Sequence, residues 1–264
     1  MDDEPSLLVA RDGPVARLTM NRPRLHNAFD EALIAALTRV LEELAEDAAV
    51  RVVLLTGAGR SFSAGADLGW MRRAAAYDEE RNREDARALE AMLRTLDELP
   101  KPTVALVNGA AIGGGTGLVA ACDIVLASSA ATFATSEVRL GIVPAVISPF
   151  VVRAIGARQA RRCFLTAGRL SADEALRIGL VHEVVPPEAL EARAGETVVA
   201  LLEGGPEAQA EAKRLVRLVE ATPQGGSLLA EATVGSIAER RASAEGREGI
   251  AAFLEKRRPA WRPG

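Results

Sequence analysis

Lysine is scarce in this 264-residue chain: it occurs only at positions 101, 213 and 256, and the other basic residues are arginines. Histidine is scarcer, with His26 and His182 alone, and cysteine is limited to Cys122 and Cys163. These isolated residues offer none of the spacings that hold zinc, so no metal site is expected. Both cysteines sit in apolar or helical context and read as reduced core residues. The net charge of −4 comes from interspersed signs, which leaves no basic footprint for nucleic acid. The opening MDDEPSLL is acidic and lacks the apolar core of a secretory signal, so a reducing, cytoplasmic setting is expected. Long apolar runs are also missing, with one exception. No charge falls between Lys101 and Asp123. Pro102, Asn108 and three adjacent glycines interrupt this run and no second one exists, so a membrane span is not expected.

That exception, KPTVALVNGAAIGGGTGLVAACD, organises the chain. Residues 103–107 read as a short buried strand bounded by Pro102 and Gly109. Gly113, Gly114 and Gly115 follow. Three adjacent glycines in an apolar run cost chain entropy, so a bare backbone is needed there. Residues 116–121 then continue as a helix whose first N–H groups are free, a ready site for developing negative charge.

Before this stretch, residues 6–20 read as a hairpin turning at Arg11-Asp12-Gly13-Pro14. Asp30 is a helix N-cap, followed by Leu33, Ile34, Leu37, Val40, Leu41 and Leu44 at helical spacing. Residues 52–55 form a buried strand. Small residues then lead through GRSFSAG to Asp67, another N-cap, which gives a second turn with exposed N–H groups. Residues 78–99 form a long charged helix ended by Pro100. Further strands are expected over 123–127 and 131–135, and a loop carrying Glu137 over 136–149. A helix with a break at Gly156 covers 151–166. A capping box at Ser171–Glu174 opens a short helix ending at Gly179, and a last strand covers 180–185. Beyond Pro187 the pattern is nearly all helical. The chain therefore divides into an α/β body, residues 1–195, and a helical region, residues 196–264. Its recurring unit is strand, strand, helix.

Several familiar patterns fail. The run from Gly57 to Phe62 ends on the wrong residue for a dinucleotide turn. No Gly-Lys-Ser/Thr phosphate loop occurs. Ser61 to Gly65 lacks the first glycine of a nucleophile elbow, and nothing brings a histidine to Ser63.

GAGRSFSAGADL followed by KPTVALVNGAAIGGGTGLVAACDI resembles the enoyl-CoA hydratase/isomerase (crotonase) family. MNRPRLHNAF, SEVRLGIVP, AGRLSADEALRIGLVHEVV and EGIAAFLEKRRP extend the resemblance over nearly the whole chain. It implies an α/β crotonase-like spiral of repeated β-β-α units with a C-terminal helical trimerisation region, assembled as a homotrimer or a dimer of trimers. It implies an acyl-CoA thioester substrate, with coenzyme A as part of the substrate and no other cofactor. The backbone N–H groups of Ala66 and Gly114 would form an oxyanion hole, where each donor is worth about 3 kcal/mol in the transition state. Coenzyme A would lie along Arg24, Leu25, Ala64, Ala66, Asp67 and Leu68. Phe253 and Lys256 would reach a neighbouring subunit's ligand.

Family hydratases commonly use two glutamates. The second matches Glu137, but the first falls at Gly117, which has no side chain. A single glutamate can still pass a proton from water to C2, or shuttle one between C2 and C4. GGGTGLVAACD and EVRLGIVPAVISPFVVRAIG further resemble hydratases of methylglutaconyl-CoA and isohexenylglutaconyl-CoA. The resemblance thus implies an enoyl-CoA hydratase acting on a branched or carboxylated chain. A Δ3–Δ2 enoyl-CoA isomerase and a non-catalytic acyl-CoA binder are the alternatives. Arg72, Arg73, Arg81 and Arg83 are candidates for a substrate carboxylate, and residues 143–150 for shaping the acyl end.

Overall fold

The computed structural model describes residues 4–262. The first three residues of the acidic N-terminal stretch lie outside them. The expected hairpin is present as β1 (Leu7–Asp12) and β2 (Val15–Met20), paired antiparallel with Leu7 opposite Met20. Ala16, Leu18 and Met20 alternate inward along β2 and are fully buried, as a half-buried strand requires. α1 (Glu31–Glu46) starts at Asp30, whose side chain accepts from the Leu33 N–H at 2.9 Å. The six apolar residues at helical spacing are its buried face.

β3 (Val52–Gly57) is followed by β4 (Ser61–Ser63), α2 (Leu68–Ala74) and α3 (Glu79–Glu98). β5 (Thr103–Val107) is followed by β6 (Ala110–Ile112) and α4 (Gly114–Ala121). β7 (Ile124–Ser128) is followed by β8 (Thr132–Ala134) and α5 (Ser148–Thr166). Each unit sends its first strand to one sheet and its second to another. The large sheet has the order β1-β2-β3-β5-β7-β10 and is parallel from β2 onward, with β10 spanning Glu183–Val185. The small sheet has the order β4-β6-β8-β9, with β9 being Leu170–Ser171. Crossover connections between parallel strands are right-handed as a rule, and such connections wind repeated units into a spiral.

The core fills the space between the sheets and the helices, with Phe29, Phe62, Phe133, Leu93 and Val107 at its centre. The outer face of the large sheet is covered as well. Val52, Leu54, Val104, Leu106 and Leu126 pack with Leu190, Ala194 and Leu202 of α7 (Leu190–Leu202). This explains why β3 and β5 read as continuous apolar runs rather than alternating ones. The boundary drawn after residue 195 falls inside α7. α6 (Ala172–Arg177) precedes β10 and is capped by Ser171 as the capping box implies, its side chain accepting from the Glu174 N–H. α8 (Pro206–Ala221), α9 (Ser227–Ala242) and α10 (Ala244–Leu254) pack mainly on one another and leave Leu228, Val234, Phe253 and Leu254 exposed.

Two expectations need correction. The segment 136–149 is not a plain loop: a 3-10 turn covers Glu137–Leu140, and α5 begins at Ser148 with Pro149 in its first turn, where proline is tolerated. β4, β6 and β9 are not anticipated at all, because two or three residues are too few to show a period. The break at Gly156 is present, with φ +72° and ψ 155°. Among the described residues no helix is long and apolar enough to cross a membrane.

Candidate active site

The two glycine-rich turns lie at the C-terminal ends of β4 and β6, adjacent parallel strands of the small sheet. Ala66 forms a parallel bridge with Phe29: the Phe29 N–H donates to Gly65 O at 2.6 Å and the Asp67 N–H donates to Phe29 O at 2.7 Å. In that pairing the N–H of Ala66 points away from Phe29, and no acceptor among the described residues engages it. Gly114 opens α4, and its N–H likewise has no partner among the described residues. The turns touch. A Cβ on Gly65 would lie 3.4 Å from Gly114 N, and Gly65 itself has φ +81°. Two unpaired N–H groups on facing turns, one at the positive end of a helix, form a site for an oxyanion.

The glycine run serves both geometry and packing. Gly113 has φ +53°, which turns the chain from β6 into α4, and its N–H donates to Ala134 O at 2.7 Å. A Cβ on Gly114 would meet the Phe29 ring at 2.7 Å, and one on Gly115 would meet Ser63 O at 2.5 Å. A bare backbone is therefore needed for close approach as well as for the exposed donor.

Glu137 starts the 3-10 turn that follows β8 and reaches the same place. Its Oε1 lies 3.2 Å from where a Cβ on Gly113 would stand. Burial pushes its carboxyl above the ordinary value, and a backbone hydrogen bond offsets part of that. Its Oε2 is buried with no hydrogen-bond partner, and no cation among the described residues pairs with it. A pairing with Arg139 is therefore absent. A desolvated carboxylate with an orphaned oxygen beside an oxyanion site is poised to exchange a proton with a ligand.

The coenzyme A candidates flank this centre. Arg24 and Leu25 stand on the exposed 3-10 turn Pro23–Leu25, and Leu25 is 49% exposed. This turn is strapped to the Ala66 turn, because the Ala64 N–H donates to His26 O at 2.8 Å. Asn27, fully buried at φ +55°, donates to Ala58 O and Ser61 O and accepts from the Arg22 N–H. The Asp67 carboxylate is committed inward: Oδ1 caps α2 by accepting from the Gly69 and Trp70 N–H groups, and Oδ2 lies 3.3 Å from Arg22, which also pairs with Asp30. The Asp67 backbone is engaged as well, its N–H by Phe29 O at 2.7 Å and its C=O by the Met71 N–H at 2.8 Å. Leu68 is 72% exposed beside it. Phe253 and Lys256 stand far along the chain, on and just past α10. Phe253 is 82% exposed, which removes a core-packing role for it within this chain.

Of the four candidate arginines, Arg73 pairs with Glu31, Arg81 with Glu84 and Arg83 with Glu79. Ser63 is not a nucleophile: its hydroxyl donates to Asn27 O at 2.8 Å and accepts from the Gly65 N–H, which stiffens the turn. His26 lies between Ser61 and Arg60, and His182 accepts from the Val125 N–H. No cluster of described residues could hold a metal ion. Sequence reasoning missed Phe29 and Arg22, which act through contacts with Gly114 and Asp67 that no local spacing reveals.

Comparison with known proteins finds relatives over nearly the whole chain. The profile of the enoyl-CoA hydratase/isomerase family matches residues 10–263. The short-chain-enoyl-CoA hydratase of Clostridium acetobutylicum is 34% identical over 259 residues, covering 96% of each chain. The 2,3-dehydroadipyl-CoA hydratase of Escherichia coli is 34% identical over 257 residues, covering 96% of this chain and 97% of the relative. The crystal structure of an enoyl-CoA hydratase from Shewanella pealeana superposes with a TM-score of 0.93 at 42% identity, covering 97% of this chain and 96% of that one.

Proposed function

The chain belongs to the enoyl-CoA hydratase/isomerase family, and from that premise we propose that it is an enoyl-CoA hydratase that works with a single glutamate. The observation that carries this reading is the buried, unpartnered Oε2 of Glu137 beside two unpaired backbone donors. In the proposed step the thioester oxygen sits between the N–H groups of Ala66 and Gly114. Glu137 takes a proton from water as the oxygen of that water bonds to C3. The C2–C3 π pair moves to the enolate, and the same proton is returned to C2. One C–O bond and one C–H bond form, and the double bond is consumed. Coenzyme A enters and leaves as part of the substrate, along Arg24, Leu25, Ala64, Ala66, Asp67 and Leu68.

The acyl chain is proposed to be branched or carboxylated, of the methylglutaconyl-CoA and isohexenylglutaconyl-CoA kind. The name of the Escherichia coli relative, a hydratase of a carboxylated enoyl-CoA, supports this. Arg72, exposed on α2, is the candidate for that carboxylate once its three neighbours are engaged elsewhere. The helical region, residues 196–264, is proposed to build a homotrimer or a dimer of trimers. There Phe253 and Lys256 would touch a neighbour's coenzyme A, and the exposure of Phe253 and Leu254 supports this. A cytoplasmic setting fits the buried, unpaired cysteines.

A lone carboxylate also suits Δ3–Δ2 isomerisation, which moves a proton between C2 and C4. Absorbance of the conjugated thioester separates the two readings. Loss with a 2-enoyl-CoA is expected. Gain with a 3-enoyl-CoA and no loss with the first would replace hydration with isomerisation. Binding without either change would leave a non-catalytic acyl-CoA binder.

A further inference from the structure

Gly117 has no side chain for a physical reason other than backbone freedom. It lies inside α4 and is fully covered. A Cβ there would stand 2.3 Å from Ile147 Cγ2 and 2.9 Å from Ile147 Cβ, with Leu93 Cδ1 behind at 3.6 Å. Ile147 is 3% exposed and sits at the N-cap of α5. The Gly117 N–H donates to Gly113 O at 3.1 Å, so the two glycines stand one helical turn apart at the start of α4. The Glu137 carboxylate covers the first and Ile147 covers the second. Both covering groups come from one short stretch of chain, residues 137–147.

We infer that Ile147 is a specificity-determining residue, the aliphatic wall of the acyl pocket one helical turn from Glu137, and that Gly117 is its steric complement. The specificity role rests on the acyl-CoA reading above. The pairing of the two residues rests on geometry alone. Any side chain at 117, an acid included, competes with Ile147 for the same space. A β-branched residue has few rotamers with which to yield. The second titratable group that a two-carboxylate site would need is thereby excluded, and the depth of the pocket is set from position 147.

The test uses four proteins: wild type, Gly117→Ala, Ile147→Ala and the double variant. Thermal unfolding reads the pairing. Gly117→Ala alone is expected to lower Tm by about 5 °C, the effect of overpacking a tight core. In the Ile147→Ala background the same change is expected to lower it by less than half as much, because Cγ2 is gone. Equal falls in both backgrounds would overturn the pairing. Steady-state rates read the specificity. Ile147→Ala is expected to raise kcat/KM for an eight-carbon 2-enoyl-CoA over crotonyl-CoA about tenfold. An unchanged ratio would overturn the specificity role. Ile147→Val is expected to shift the ratio in the same direction by less, and it keeps the test if Ile147→Ala does not fold. A wild type that turns over neither ester overturns the proposed function and the specificity role together. The thermal coupling still decides the pairing.

Discussion

The two sheets of this molecule are built to different rules. Five strands of the large sheet run five or six residues, and β3 and β5 at its centre are buried along their whole length. The strands of the small sheet run two or three residues, and turns follow at once. In the large sheet, side chains from both faces feed two apolar clusters. In the small sheet, the strand ends carry the groups of the proposed chemistry: Ala66 lies just past β4, Gly114 just past β6 and Glu137 just past β8. One sheet supplies stability, and the other aims donors and a carboxylate at one point. Loops positioned by a rigid scaffold are where such groups concentrate.

Substitutions that separate rate from stability sharpen this contrast. The largest effect is expected from Glu137→Gln, which keeps the shape and removes the base. kcat with a 2-enoyl-CoA should fall about 10³-fold while KM changes little, as steady-state kinetics will record. Leu106→Ala on β5 should do the opposite. It empties a fully buried site and should cost about 3 kcal/mol in denaturant unfolding, with kcat per folded molecule preserved. Ala66→Pro deletes one proposed oxyanion donor without breaking a hydrogen bond among the described residues. It should lower kcat about 10²-fold, with Tm measured alongside to confirm folding. Asp67→Ala removes the cap of α2 and a partner of Arg22. A loss of about 1 kcal/mol in stability is expected, with a moderate rise in KM because the neighbouring turn loosens.

The smallest effect concerns pH. Burial raises the carboxyl of Glu137 above its ordinary 4.5 in the folded chain. The folded state therefore holds this proton more tightly than the unfolded one. The favourable contribution is complete below the unfolded value and is lost as pH rises through the folded one. Glu137→Gln should accordingly raise Tm by about 2 °C at neutral pH, and the gain should shrink on acidification toward pH 4. A gain independent of pH would mean that the carboxylate is not strained by burial.

How much of this was legible in the sequence follows from the same contrast. The large sheet, the capped helices at Asp30, Asp67 and Ser171, and the break at Gly156 were readable because each leaves a local mark of period, cap or punctuation. In the small sheet only β8 left such a mark. Its turns could be recognised as donor sites from their glycines and from the family resemblance, but not the bridge from Phe29 to Ala66 that aims one of them. Glu137 could be singled out by position. Its orphaned oxygen could not, because desolvation depends on what packs around Gly113. Gly117 read simply as an absence, until Ile147 was found in the space its side chain would need.

The most direct test of the single-glutamate hydratase is isotopic. The wild type and Glu137→Gln are incubated with a 2-enoyl-CoA in ¹⁸O-labelled water, and the product is analysed by mass spectrometry. The expected result is one labelled oxygen at C3 with the wild type and almost none with the variant. Labelled product at an undiminished rate from Glu137→Gln, or wild-type turnover without label, would contradict it.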